Sequence, residues 1–82
     1  MEEKVMVQLV TESEDLCYEG ISLHTALQEM WYDTCGTDEY EGCKLTVRGT
    51  EKEYKYVGSL LRYCFDKGRM SVEDILEECE VA

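Results

Sequence analysis

The chain of 82 residues contains no proline and only six glycines. Flexible or Pro-rich linkers are therefore excluded, and a compact fold with short turns is expected. There is one histidine, His24, and none of the five cysteines (Cys17, Cys35, Cys43, Cys64, Cys79) belongs to a C-x-x-C pair. Zinc modules built on paired ligands are excluded, and a structural metal would have to be gathered from Cys17, Cys35 and Cys43. No cofactor is expected. A Cys or Ser nucleophile would need a base held by a third group, and His24, placed toward the polar side of a helix, is the lone histidine candidate. No glycine-rich loop suited to cradling phosphate occurs. Nineteen acids guarantee carboxylate pairs by number alone, so no hydrolytic pair stands out. The expectation is a protein that is not an enzyme, because no constellation exists from which to build an active site.

No stretch approaches the ~20 apolar residues of a membrane span. Met1-Glu2-Glu3-Lys4 lacks the basic and apolar pattern of a secretory leader, and an odd number of cysteines fits free thiols. The expected location is the cytosol, the host cell's cytosol if the chain is phage-encoded.

The most informative absence is of positive charge. From Glu12 to Glu41 there is no Lys or Arg, against nine acids: Glu12, Glu14, Asp15, Glu19, Glu29, Asp33, Asp38, Glu39 and Glu41. The whole chain carries a net charge of −11, of which residues 1–41 hold −10. Such a pole repels nucleic acid and anionic membrane and attracts basic surfaces, so neither DNA, RNA nor lipid is an expected direct partner. Acidity also keeps a small protein soluble, and that is the simpler explanation it must be weighed against.

What is present reads as one domain spanning 1–82. Lys4 to Val10 alternates Val5, Val7 and Leu9 with Lys4, Met6 and Gln8, the pattern of a strand. Thr11 to Glu19 starts as a polar loop or turn, and Leu16, Cys17 and Tyr18 either pack it down or form a short strand. Ser22 suits a helix N-cap, with Ile21 and Ala26 at the two positions of a hydrophobic staple. Leu23, Ala26, Leu27, Met30 and Trp31 then make one apolar stripe of a helix ended near Gly36. Glu29 and Asp33 lie off the stripe one turn apart, where like charges cost a few tenths of a kcal/mol. Tyr40, set in the acidic loop 37–42, either anchors a partner or folds back on the core.

Residues 43–57 allow two readings. In one, residues 43–48 and 51–57 form a hairpin with Gly49 first in a type II′ turn, pairing Arg48 with Glu51, Thr46 with Glu53, Leu45 with Tyr54 and Cys43 with Tyr56. In the other, Thr50 and Glu53 form a capping box that opens a long helix with Gly58 inside it. The hairpin is preferred because its register satisfies both faces. Ser59 is the expected cap of a helix through Leu60, Leu61, Cys64 and Phe65, stopped by Gly68. Ser71 and Asp74 cap a last helix, with Val72, Ile75, Leu76 and Cys79 on its apolar side and Glu73, Glu77 and Glu80 on the other. The expected fold is α+β, with order β-α-β-β-α-α and a three-stranded antiparallel sheet covered by helices on one face.

In size, acidity, compact α+β reading and lack of any catalytic motif, the chain resembles the small acidic inhibitors of phages and mobile elements, the DNA-mimic antirestriction and anti-CRISPR proteins. Such proteins share no common motif, so the resemblance carries over no individual residue. It implies a non-enzymatic inhibitor whose partner is a basic nucleic-acid-binding protein, a nuclease or CRISPR effector. The expected contact residues are the nine acids of 12–41 together with Tyr40. The rival expectation is a small regulatory or assembly module that acts through an apolar interface, with homodimerisation as one remedy for a thin core.

Overall fold

A computed structural model describes residues 4–81. Seven elements follow in order: β1 (Val5–Val10), β2 (Asp15–Gly20), α1 (Leu23–Thr34), β3 (Lys44–Val47), β4 (Glu53–Lys55), α2 (Gly58–Phe65) and α3 (Val72–Cys79). The class is the expected α+β, but the sheet has four antiparallel strands in the order β2-β1-β3-β4, not three. The extra strand is β2, in the stretch left open between loop and strand. Asp15 to Gly20 alternates exposed and half-buried residues, the period of a half-covered strand. Thr11 makes the reversal: its N–H and hydroxyl both donate to the Glu14 carbonyl, and its hydroxyl accepts from the Glu14 N–H. β2 then pairs with β1 along its whole length, from Asp15 opposite Val10 to Gly20 opposite Val5.

One sheet face is buried and the other is open. Val7, Leu9, Leu45, Val47 and Tyr54 point into a core shared with Leu27, Met30 and Trp31 of α1, Leu61 of α2, and Ile75 and Leu76 of α3. The α1 stripe is as expected, except that Leu23 is only half-buried and Thr34 joins the buried set. The Thr34 hydroxyl donates to the Met30 carbonyl at 2.7 Å and lies 2.9 Å from the Tyr56 hydroxyl, so this polar pair is satisfied inside the core.

The staple at the start of α1 does not form. Ser22 caps the helix, accepting from the Thr25 N–H, but Ile21 is 73% exposed while Ala26 is fully buried. The cause is Gly20. Its backbone passes so close to α1 that a Cβ there would stand 2.8 Å from the Ala26 nitrogen and from the Thr25 side chain. That close approach turns the next side chain outward.

The hairpin reading of 43–57 holds in its register, with Leu45 opposite Tyr54 and Thr46 opposite Glu53. Cys43 and Tyr56 exchange a further bond, the Tyr56 N–H donating to the Cys43 carbonyl. Its turn differs. Gly49 is third, not second, in a turn closed by the Thr50 N–H on the Val47 carbonyl, and its φ of 91° is the value a type II turn requires there. The ladder ends at Thr46 and Glu53, so Arg48 does not oppose Glu51; its N–H donates to the Met6 carbonyl on β1 instead.

Ser59 does not cap α2. The helix starts two residues earlier than that cap implies, at Gly58 with Val57 in the N-cap position, and the capping side chain comes from far along the chain: Glu41 Oε1 accepts the Gly58 N–H at 2.6 Å. Ser71 caps α3 by accepting from the Asp74 N–H. After α3 the chain lies along β4, with Glu80 bridged to Tyr54 and the Val81 N–H donating to the Glu53 carbonyl. This covers the β4 edge of the sheet.

Candidate functional site

The strand directions decide which acids meet. β1 rises to the 11–14 turn and β2 descends from it, so α1 must climb back toward that turn. It delivers loop 35–43 beside the turn, where β3 begins with Lys44 opposite Val10. Three acidic segments thus gather at one end: the turn with Glu12 and Glu14, the end of α1 with Asp33, and the loop with Asp38, Glu39 and Glu41. Glu12, Glu39 and Glu41 line one shallow groove there, and Asp38 and Glu41 line a neighbouring one.

Two tyrosines lie among these carboxylates. The Tyr18 hydroxyl, reaching across from β2, donates to Asp33 Oδ2 at 2.5 Å, within the range of a hydrogen bond to an ionised carboxylate. Burial pushes the Tyr18 phenol well above its ordinary value, and the Asp33 hydrogen bond and the charges of Asp33, Tyr40 and Glu14 act in the same direction. Tyr40 shifts the same way, through desolvation and then through Glu39, Asp33 and Glu14. Glu14 and Asp33 therefore act on both rings and Glu39 on that of Tyr40, although the three come from a turn, a helix and a loop. Tyr40 itself is half-buried, its ring centroid 6.2 Å from that of Tyr56, so it folds back against the core and keeps only part of its surface outward.

The remaining expected residues lie outside this group, Asp15 next to the turn but on the open face of the sheet. Asp15 and Glu19 stand at the two ends of β2 on the open face of the sheet, opposite Val10 and Met6. Glu19 pairs with Lys4 at 3.7 Å. Glu29 is exposed on α1, a turn before Asp33. Two of the gathered acids also serve the fold, Asp33 as acceptor for Tyr18 and Glu41 as the cap of α2.

Among the described residues four ion pairs form: Lys4–Glu19, Lys44–Glu53, Lys52–Glu80 and Arg62–Asp66. All are solvent-exposed and individually weak. Of the expected contact residues only Glu19 takes part, so none of the gathered acids is in an ion pair, although Arg62 lines the groove that holds Asp38 and Glu41. Sequence reasoning missed Tyr18 as part of this end. The two-residue alternation of Leu16 and Tyr18 against Asp15, Cys17 and Glu19 was the available signal.

The chemistry of the site is electrostatic. Among the described residues no group of three or more His, Cys, Asp or Glu side chains is arranged to hold a metal ion, and Cys17, Cys35 and Cys43 do not come together. Cys64 and Cys79 are buried on their helices, and burial pushes both thiols up, Cys79 to about 11. His24 is exposed and meets Phe65 edge-on at 5.3 Å. Among the described residues no helix is long and apolar enough to cross a membrane. Comparison with protein-family models, with curated proteins and with solved structures returns no match to this chain.

Proposed function

We propose that this chain is a non-enzymatic inhibitor of the anti-CRISPR or DNA-mimic kind. It binds a basic nucleic-acid-handling protein, a CRISPR effector or another nuclease, in the cytosol of the cell where that protein works, and it occupies the surface with which the target grips DNA or RNA. The observation that carries this reading is the convergence of Glu12, Glu14, Asp33, Asp38, Glu39 and Glu41 from three separate segments onto one end, with no ion pair to any of them among the described residues. Duplex DNA presents one negative charge per ~1.7 Å of its axis, and proteins that hold it answer with Lys and Arg. An acidic end on a molecule 37 Å in its longest dimension competes for the same groove, and the carboxylates of Glu12, Glu14, Asp38 and Glu39 are more useful to a partner than to the fold.

Stability alone does not favour this arrangement. Glu29 and Asp33 repel each other along α1, and α3 ends in Glu77 and Glu78 with no base in its last turn, against its dipole. The rival reading, a regulatory module with an apolar interface, has less support. The exposed large apolar side chains, Ile21, Tyr32, Tyr63 and Val81, are placed singly on separate segments of the chain.

The test is inhibition of DNA cleavage by a panel of purified CRISPR effectors and restriction nucleases. The wild-type chain is compared with a Glu14→Lys, Asp38→Lys, Glu39→Lys triple variant, which spares the two acids that serve the fold. The expected result is inhibition of at least one enzyme, weakening steeply with salt and lost in the variant. Equal inhibition by the variant sinks the proposal.

A further inference from the structure

The two edges of the sheet are treated differently. The β4 edge is covered by the chain's own Glu80 and Val81. Among the described residues no strand lies beside the β2 edge. Which of its backbone groups point outward follows from the ladder. The Arg48 N–H donates to the Met6 carbonyl, so Met6, Gln8 and Val10 face β3, and Val5, Val7 and Leu9 face β2. Their partners Gly20, Tyr18 and Leu16 are therefore bonded inward, and the N–H and C=O groups of Asp15, Cys17 and Glu19 point away from the sheet. Among the described residues none of these six groups has a hydrogen-bond partner. The strand that carries them is held firmly, by six ladder positions to β1 and by Tyr18 on Asp33.

We propose that this edge of β2 is a strand-addition site that takes an extended, Lys- or Arg-bearing segment of the partner protein as a fifth strand. The proposal rests on the reading of the acidic surface as the face that binds a basic protein, and it names how part of that partner is held. Main-chain bonds to Asp15, Cys17 and Glu19 supply the attachment, and alternate side chains supply the choice of sequence. The side chains of those three residues all stand on the open face. Asp15 and Glu19 flank Cys17 about 13 Å apart along the strand. An incoming strand with cations four residues apart sets one opposite each carboxylate, the arrangement that cross-strand pairing rewards. Lys4 is no obstacle, since its pairing with Glu19 is exposed and a cation on the added strand replaces it.

The same charges argue against a second copy of this chain as the occupant. Antiparallel pairing of two β2 strands about Cys17 sets Asp15 against Glu19 twice, and like charges directly opposite are destabilising. The charges thus disfavour the self-pairing that would use the whole edge and favour a basic segment.

The experiment follows backbone amides by NMR, under reducing conditions, as a soluble peptide of alternating valine and lysine is added to the intact chain. Two control peptides are used: the same sequence N-methylated at alternate residues, with its charge kept and its donors removed, and a valine–glutamate peptide. A Cys17→Pro chain, which loses one outward N–H and no inward one, is the matching protein variant. The expected result is exchange protection appearing at Asp15, Cys17 and Glu19 on addition of the valine–lysine peptide, with binding at least tenfold weaker for the N-methylated peptide and for Cys17→Pro. Equal binding of the N-methylated peptide overturns strand addition while leaving the acidic-surface reading standing, and because it needs no variant it holds even if Cys17→Pro fails to fold. Absence of valine–lysine binding overturns the proposal outright. Equal binding of the valine–glutamate peptide overturns the preference for a basic segment and with it the acidic-surface reading.

Discussion

The pair Thr34 and Tyr56 shows how one buried polar contact is made affordable. The Thr34 hydroxyl is already committed to the Met30 carbonyl, so it tolerates loss of the tyrosine; the Tyr56 hydroxyl, on a side chain only 1% exposed, depends on Thr34. Tyr56→Phe is expected to cost about 1 kcal/mol and Thr34→Val more, about 1–3 kcal/mol, because only the second leaves a buried hydroxyl unpaired. Urea denaturation of the two variants checks the order, and the reverse order would show that the contact is not organised this way. A pH effect belongs to the same scale. Burial, then the charges of Glu78 and Glu41, raise the Cys79 thiol from 9.0 to about 11. Its folded value lies above its unfolded one, so its contribution is fully present below about pH 9 and is lost as pH rises toward 11. Melting temperature under reducing conditions is expected to fall across that window, and to fall less in Cys79→Ala relative to that variant's own value at pH 8. None of the residue-scale pairing was legible in the sequence. Thr34 stands at the next place on the apolar stripe, four residues after Met30 and three after Trp31, but a threonine at a helix end reads as exposed.

At the scale of elements, periodicity was a good guide where a face is buried against the core and a poor one where the backbone itself makes contact. The α1 stripe, the α3 stripe and the Leu45–Tyr54 register all follow from side-chain patterns that recur in the structure. β2 was readable only in part, because Asp15, Cys17 and Glu19 stay exposed and the strand has just Leu16 and Tyr18 to bury. The staple at Ile21 and the cap at Ser59 were misread for a shared reason. Both are local rules, and in each case a distant or backbone contact replaces them: Gly20 against α1 in the first, Glu41 on Gly58 in the second. A paired measurement tests the first. Gly20→Ala puts a methyl 2.8 Å from the Ala26 nitrogen and is expected to destabilise by about 1–3 kcal/mol. Ile21→Ser, at a position the staple would have made important, is expected to change stability by no more than about 0.5 kcal/mol. A large loss at Ile21 with none at Gly20 would contradict this account of the α1 start.

For the whole molecule the governing fact is the separation of charge. Residues 1–41 hold −10 of the net −11, and the fold concentrates much of that at one end rather than spreading it. The sequence made the excess visible, since no base interrupts Glu12 to Glu41. It did not show which acids converge, because that depends on α1 climbing back beside the 11–14 turn, and this follows from the β2 strand that the pattern left open. Asp15, Glu19 and Glu29 consequently stand outside the group that forms. Nor did it show that Asp33 and Glu41 have duties in the fold, which makes Glu12, Glu14, Asp38 and Glu39 the better residues to reverse.

The most direct measurement is capture from a nuclease-treated host-cell extract on the immobilised chain, beside an immobilised variant with Glu12, Glu14, Asp38 and Glu39 changed to Lys. Retained proteins are eluted with salt or with duplex DNA and identified. The expected result is a nuclease, restriction or CRISPR effector subunit held by the wild-type chain, released by either eluent and not held by the variant. A retained protein that survives high salt, ignores added DNA and binds the variant equally would mean that the acidity serves solubility alone and that the chain acts through some other surface.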